Sequence, residues 1–171
     1  MTEFNPTAIL EVLARHSVTY VLIDGYAALL RGSGLATVDI DIVPDRTRTN
    51  LANLAAALAD LDAKIRAAGT DGLPFSATAE SLQGISVLNL TTRLGELSLT
   101  FSPSGFSTGF EALRPAATTM TINGVSVLVA SLDDVITSKE AAGRDKDFQA
   151  LPRLIRLQQE QQKPTGRDDS R

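Results

Sequence analysis

Asp39 and Asp41 stand two residues apart in GLATVDIDI, residues 34–42, alternating with Val38, Ile40 and Ile42. In an extended strand, positions two apart share a face. The three apolar residues then turn to a core and the two carboxylates sit side by side on the other face. Adjacent like charges are unfavourable unless the face is wet, a cation lies between them, or one acid holds a proton. A half-exposed strand with solvated acids and a divalent-metal clamp both satisfy this pattern. A second group of charges, Lys139, Arg144, Lys146 and Asp147, falls in SKEAAGRDKD, residues 138–147. Taken alone, that run reads as a solvated helix face. Lys139 and Arg144 reach one pocket only if the helix turns or ends at Gly143. The single histidine and the lack of cysteine exclude thiolate nucleophiles, cysteine-based zinc sites and clustered histidine ligands.

These side chains need elements to hold them. Residues 6–16 have helical apolar spacing with Pro6 and Thr7 as start signals. Residues 18–23 (VTYVLI) read as a buried strand, residues 26–30 as a helix, and RGSG at 31–34 as its break before the acidic strand. An Ala/Leu-rich amphipathic helix is expected over 51–68. Strands follow at 86–90, 96–101 and 120–130, the last folded on itself at Asn123-Gly124, a strong hairpin signal. Ser131 has the character of an N-cap, with Asp133 and Asp134 as first-turn acids of a helix reaching Ala142. A final helix is expected over 152–162. His16 reads as an exposed helix-end residue, and Gly25 by itself implies only a turn.

The order of elements predicts one α/β (α+β) domain over residues 1–160, a mixed sheet flanked by helices, with a polar tail at 161–171. Composition is that of an ordinary globular chain, 43% hydrophobic and 21% charged. The net charge of −4 gives no general attraction to nucleic acid, so any such contact needs a local basic patch. Without a signal peptide or an apolar run of membrane-spanning length, a cytoplasmic protein with no membrane partner is expected.

The stretch YVLIDGYAALLRGSGLATVDIDIV resembles the opening motif of minimal nucleotidyltransferases of the polymerase-β superfamily: a strand, a glycine-containing turn into a helix, and a strand with Asp-x-Asp. The resemblance is strongest to the AbiEii/MenT-like toxin branch. SLDDVITSKEAAGRDKDFQALPRL, residues 131–154, is similar to that branch's C-terminal helix motif, and LGELSLTFSPSGF fits its third core strand. The resemblance implies that Asp39 and Asp41 hold Mg²⁺ (or Mn²⁺) and are catalytic. It implies that Gly25, Thr37, Lys139 and Arg144 bind nucleotide, with Lys139 meeting phosphate and Asp147 orienting Lys139 or the acceptor. The implied reaction moves a nucleoside monophosphate from an NTP to a hydroxyl acceptor. That acceptor could be a tRNA 3′ end, and the implied role a toxin paired with an antitoxin protein.

Three positions depart from the pattern. Asp24 stands where the family has Gly, Val38 where it is commonly basic, and Ser98 where a third carboxylate is expected. Glu96 shares a strand face with Ser98, and Asp24 ends a strand beside Asp39, so either acid is a candidate substitute. These departures support an alternative, a catalytically degenerate relative that binds nucleotide or a protein. A third reading, transfer to a small molecule, is disfavoured by the short chain. An RNA acceptor would require a basic groove, for which Arg31, Arg46, Arg48, Arg144, Lys146, Arg153 and Arg156 are candidates.

Overall fold

The chain enters its first helix through a cap. Asn5 accepts a hydrogen bond from the Ala8 amide (3.2 Å), and Pro6 opens α1 (Pro6–Arg15), which buries Ile9, Leu10, Val12 and Leu13. The computed structural model describes residues 2–163. A buried strand, β1 (Tyr20–Ile23), leads directly into α2 (Asp24–Leu30). The acidic strand β2 (Asp39–Pro44) and α3 (Arg48–Asp60) follow. Next come β3 (Lys64–Ile65), α4 (Ala79–Gln83) and the antiparallel pair β4 (Val87–Thr92) and β5 (Gly95–Thr100). A short α5 (Phe110–Leu113) and a 3₁₀ turn (Arg114–Ala116) precede the hairpin β6 (Thr118–Ile122) and β7 (Val125–Val129). Two helices, α6 (Leu132–Ala142) and α7 (Asp145–Gln162), complete the described residues.

The strands form one mixed sheet in the order β3-β4-β5-β2-β1-β7-β6. β2 is central, antiparallel to β1 and parallel to β5. Its Ile40 and Ile42, with Leu97 and Leu99 of β5 and Leu90 of β4, are wholly buried in the core. The opposite face of these strands is polar, because side chains alternate along each one. The expected hairpin forms: Asn123 and Gly124 both have positive φ (49° and 80°), as a two-residue type I′ turn requires. Ser131 caps α6 by accepting from the Asp134 amide (3.1 Å), which leaves Asp133 and Asp134 in the favourable first turn.

Three expectations are corrected. The acidic strand starts at Asp39, and Val38 is 72% exposed outside it, so Val38 is not part of the core face. The helix expected over 51–68 runs instead from Arg48 to Asp60. Asp62 takes a left-handed φ of 50°, and the Ala63 amide returns to the Leu58 carbonyl, a C-terminal cap built on Asp rather than the usual Gly. That stop frees residues 64–65 for the edge strand β3, which the helical reading had absorbed. The last helix begins at Asp145, with Pro152 inside it and not at its start. Asp147 accepts from the Arg144 amide (3.2 Å) and so caps the earlier start, while the ring of Pro152 forfeits one backbone bond. Residues 164–171, most of the expected tail, lie outside the described residues, and α7 itself extends through Gln162. No helix among the described residues is long and apolar enough to cross a membrane.

Candidate active site

Strand register places the polar side chains. Asp41 of β2 lies opposite Ser98 of β5, which lies opposite Asn89 of β4, and the Arg66 amide in turn donates to the Asn89 carbonyl (2.9 Å). The neighbouring row holds Asp39, Glu96 and Thr91. A cavity of about 430 Å³ opens over this face. Asp24, Asp39, Asp41, Ser138, Arg144 and Lys146 line one flank; Arg66, Val87, Asn89, Ser98 and Thr100 line the other. The structure therefore brings the acidic pair and Arg144 to one cavity, and adds Lys146.

Asp41 is the electrostatic focus. Burial pushes its carboxyl up to about 8, and the neighbouring charges of Asp24 and Asp39 push in the same direction. Lys146 and Lys139 oppose the shift without cancelling it. The site is thus crowded with acidic groups where two β2 carboxylates meet the end of β1, Ile23 being Asp41's partner in the ladder.

Beside it lies a buried ion network. Lys139 donates to Asp24 Oδ1 (2.7 Å) and approaches Asp147 Oδ1 (3.5 Å). Arg144 grips Asp147 with both edges of its fork, Nε to Oδ2 at 2.7 Å and Nη2 to Oδ1 at 3.2 Å, and lies 3.9 Å from Asp24. Gly143, at φ 62°, ends α6 and lets the chain turn so that Lys139 and Arg144 converge. Burial works against charge on Asp147, but the side-chain and backbone hydrogen bonds from Arg144 prevail and hold its carboxyl below the usual range. The same contact raises the Arg144 guanidinium further.

Several candidates occupy other places than expected. Asp147 is fully buried and Lys139 nearly so, and neither lines the cavity. In this conformation they are supports: Asp147 holds Arg144, and Lys139 holds Asp24. Gly25 and Thr37 also stand away from the cavity wall and face each other; a Cβ on Gly25 would meet Thr37 Oγ1 at 3.0 Å. Thr37 precedes β2 and donates to the Asp39 carbonyl (3.2 Å), so it does not share a strand face with Asp39. Glu96 sits in register with Asp39 but its carboxylate is engaged by Arg66 at 3.3 Å. Asp24 adopts φ 65°, the region glycine occupies freely and other residues at a cost of about 1 kcal/mol or more. Its ion pair with Lys139 stabilises that conformation and neutralises a carboxylate that would otherwise repel phosphate.

The donor set suits a hard divalent cation. Carboxylate oxygens are the ligands Mg²⁺ and Mn²⁺ prefer, and Mg²⁺ is commonly held by one or two carboxylates, with phosphate and water supplying the rest. Among the described residues no group of three His, Cys, Asp or Glu side chains forms a closed metal cage, in keeping with Asp24 being turned onto Lys139. Asp39 and Asp41 are the pair that would hold the ion, and a cation there would offset the charge crowding at Asp41.

Solved structures share this architecture. The chain superposes on a lincosamide antibiotic adenylyltransferase, LnuA, in its lincomycin-bound form, with TM-score 0.59, 15% identity, and coverage of 91% of this chain and 99% of that one. The fold is that of the nucleotidyltransferases. A Thermotoga maritima protein assigned as a nucleotidyltransferase shares this nucleotidyltransferase fold at TM-score 0.53 and 14% identity, covering 91% of this chain and 96% of that one. The antibiotic-resistance factor ANT(2'')-Ia does so at 0.54 and 13%, covering 86% and 79%. No protein-family model matches the sequence, and a search among curated proteins finds no match.

Sequence reasoning found Ser98 on the second flank of the cavity but missed Arg66 and Asn89 beside it. Arg66 lay inside the over-long helix expected at 51–68, so its approach to Asn89 was hidden. Asn89 carried a readable signal, since it is the polar member of an apolar-polar-apolar alternation in β4.

Proposed function

We propose that this chain transfers a nucleoside monophosphate from an NTP to the hydroxyl of a small acceptor, using Mg²⁺ or Mn²⁺ held by Asp39 and Asp41. The observation that carries the reading is the paired carboxylates of β2 facing a cavity that has cations, Arg144 and Lys146, on the same flank and an amide-and-hydroxyl wall on the other. When bound, the ion would neutralise charge building on the triphosphate. Arg144 and Lys146 supply further positive charge for phosphate oxygens, and Asp147 keeps Arg144 in place. The acceptor oxygen forms a bond to the α-phosphorus as the bond to the leaving pyrophosphate breaks, and the hydroxyl proton is lost to water on the acceptor side. Ser98 occupies that side, opposite Asp41, and a hydroxyl is a far weaker proton acceptor than a carboxylate.

The basic residues favour a small acceptor over RNA. Arg31 is held by Ala130, Val129 and Thr118, Arg46 by Gln83, Ile85 and the Phe101 ring, Arg48 by Glu80, and Arg153 by Ser33. With Arg144 on Asp147, only Lys146 and Arg156 of the candidate groove lack a side-chain hydrogen bond or ion pair among the described residues. Chain length does not oppose a small acceptor, because LnuA, solved with lincomycin, is matched over 99% of its own chain. The toxin role with a tRNA acceptor and an antitoxin partner is the finer reading of the sequence resemblance. It requires growth arrest on expression that Asp39→Asn relieves.

Incubation with each α-labelled NTP, Mg²⁺ or Mn²⁺ and a panel of hydroxyl compounds tests transfer directly. A missing general base typically lowers rate by about 10²–10⁴, so Ser98→Asp is expected to raise turnover by about 10²-fold. Ser98 and the Asp24–Lys139 pair also support a second reading, a degenerate nucleotide-binding module. Metal-dependent nucleotide binding with no product from wild type or Ser98→Asp would decide for that reading.

A further inference from the structure

Among the described residues that line the cavity, Arg66 is the only charged one on the flank formed by β4, β5 and the chain just after β3; its neighbours there are Val87, Asn89, Ser98 and Thr100. Both of its side-chain contacts are made by Nη2, to the Leu90 carbonyl and to Glu96 Oε2, each at 3.3 Å. Its Nε is the one buried side-chain polar atom among the described residues with no hydrogen-bond partner. An unpaired buried donor costs on the order of 1–3 kcal/mol, and more when the group is charged. An oxyanion that draws the guanidinium outward and pairs with its fork would remove that penalty, because arginine matches carboxylate and phosphate geometry with parallel N–H donors. Glu96 does not meet this demand, since it reaches only Nη2.

The placement adds a direction. Arg66, Asn89, Ser98 and Asp41 follow one another along a single row across the sheet. Strands lie about 4.8 Å apart, so the row separates the Arg66 backbone from Asp41 by roughly 14 Å, and the long side chain of Arg66 shortens that span. Val87, 55% exposed, offers an apolar contact beside the row. Building on the transfer reading, we infer that the acceptor is a small hydroxyl compound carrying an anionic group, carboxylate or phosphate, which Arg66 anchors while its hydroxyl faces Ser98 and Asp41. Arg66 on this view selects the acceptor, and Arg144 and Lys146 serve the nucleotide.

The test measures binding first. Glycerol 3-phosphate, glycerate and uncharged glycerol are titrated by calorimetry and thermal shift into the full-length protein and its Arg66→Gln, Arg66→Lys and Lys146→Gln variants. At least one of the two anions should bind wild type ten-fold or more tighter than glycerol, and which of them does identifies the anionic group. Arg66→Gln should weaken it by ten-fold or more, Arg66→Lys by less, and Lys146→Gln by less than Arg66→Gln. Equal binding of glycerol and both anions, binding insensitive to Arg66→Gln, or a larger loss in Lys146→Gln than in Arg66→Gln would each overturn the inference. The labelled-NTP assay with the same compounds separates the two readings. Arg66-dependent anion binding without any transfer supports the anion site and removes the transfer reading. Transfer to neutral hydroxyls that ignores Arg66→Gln supports the transfer reading and removes the anion site.

Discussion

Asp41→Asn is expected to stabilise the metal-free protein and, on the proposed transfer reading, to remove metal-dependent nucleotide binding. The folded-state carboxyl titrates near pH 8, against an ordinary value of 3.8. Between those values the folded chain holds a proton that the unfolded chain has released, so wild-type stability falls as pH rises from about 4 to 8 and levels off above. Removing the charge removes that slope. At pH 8 the gain is on the order of 5 kcal/mol, which for a chain of this size is about 10–20 °C in Tm. At pH 4 the two proteins should differ little. Denaturation followed across this pH range checks the prediction, and parallel slopes for wild type and variant would refute it. With Mg²⁺ or Mn²⁺ present the ranking narrows, because ligand binding to the folded state raises the wild-type Tm by mass action and leaves the variant behind. The double replacement Asp39→Asn with Asp41→Asn should lose metal-dependent nucleotide binding altogether.

Asp147→Ala should be the most damaging single change to the fold near the site. Its carboxylate is wholly buried and receives Arg144 through side chain and backbone, with Lys139 at 3.5 Å. Removing one partner of a buried ion network leaves uncompensated charge and costs about 3–5 kcal/mol, or roughly 6–20 °C in Tm. Lys139→Met should cost less, because Asp147 keeps Arg144 and Asp24 remains 28% exposed to water. A double-mutant cycle between Lys139→Met and Asp147→Asn should show coupling above about 1 kcal/mol. The cycle also assigns the role of Asp147. A positioning residue lowers Tm and weakens nucleotide binding through Arg144; a residue acting in the chemistry would abolish turnover with Tm unchanged.

Much of the site was legible because it rests on local rules. Alternation in a strand is enough to put Asp39 and Asp41 on one face and Ile40 and Ile42 on the other. The Asn123-Gly124 turn and the Ser131 cap are likewise read from a few adjacent residues. Element ends were less legible where the stop signal was weak. Asp62 ends α3 in a conformation normally given to Gly or Asn, and the early start of α7 depends on a side chain, Asp147, reaching back to an amide.

Spacing along the chain was enough for the acidic pair, the single mixed α/β domain and the hairpin, whereas the convergence of Lys139 and Arg144 waited on the left-handed turn at Gly143. Tertiary structure decided which residues those groups meet. The fold sets Lys139, read as a phosphate ligand, 2.7 Å from Asp24, a residue distant in sequence. Ser98 and Asn89 became neighbours of Asp41 only through strand register, and Arg66 joined their row only because α3 stops early enough to form an edge strand. Pairing across a sheet and burial of charge are set by the summed packing of the whole core, and no short window of sequence contains that sum.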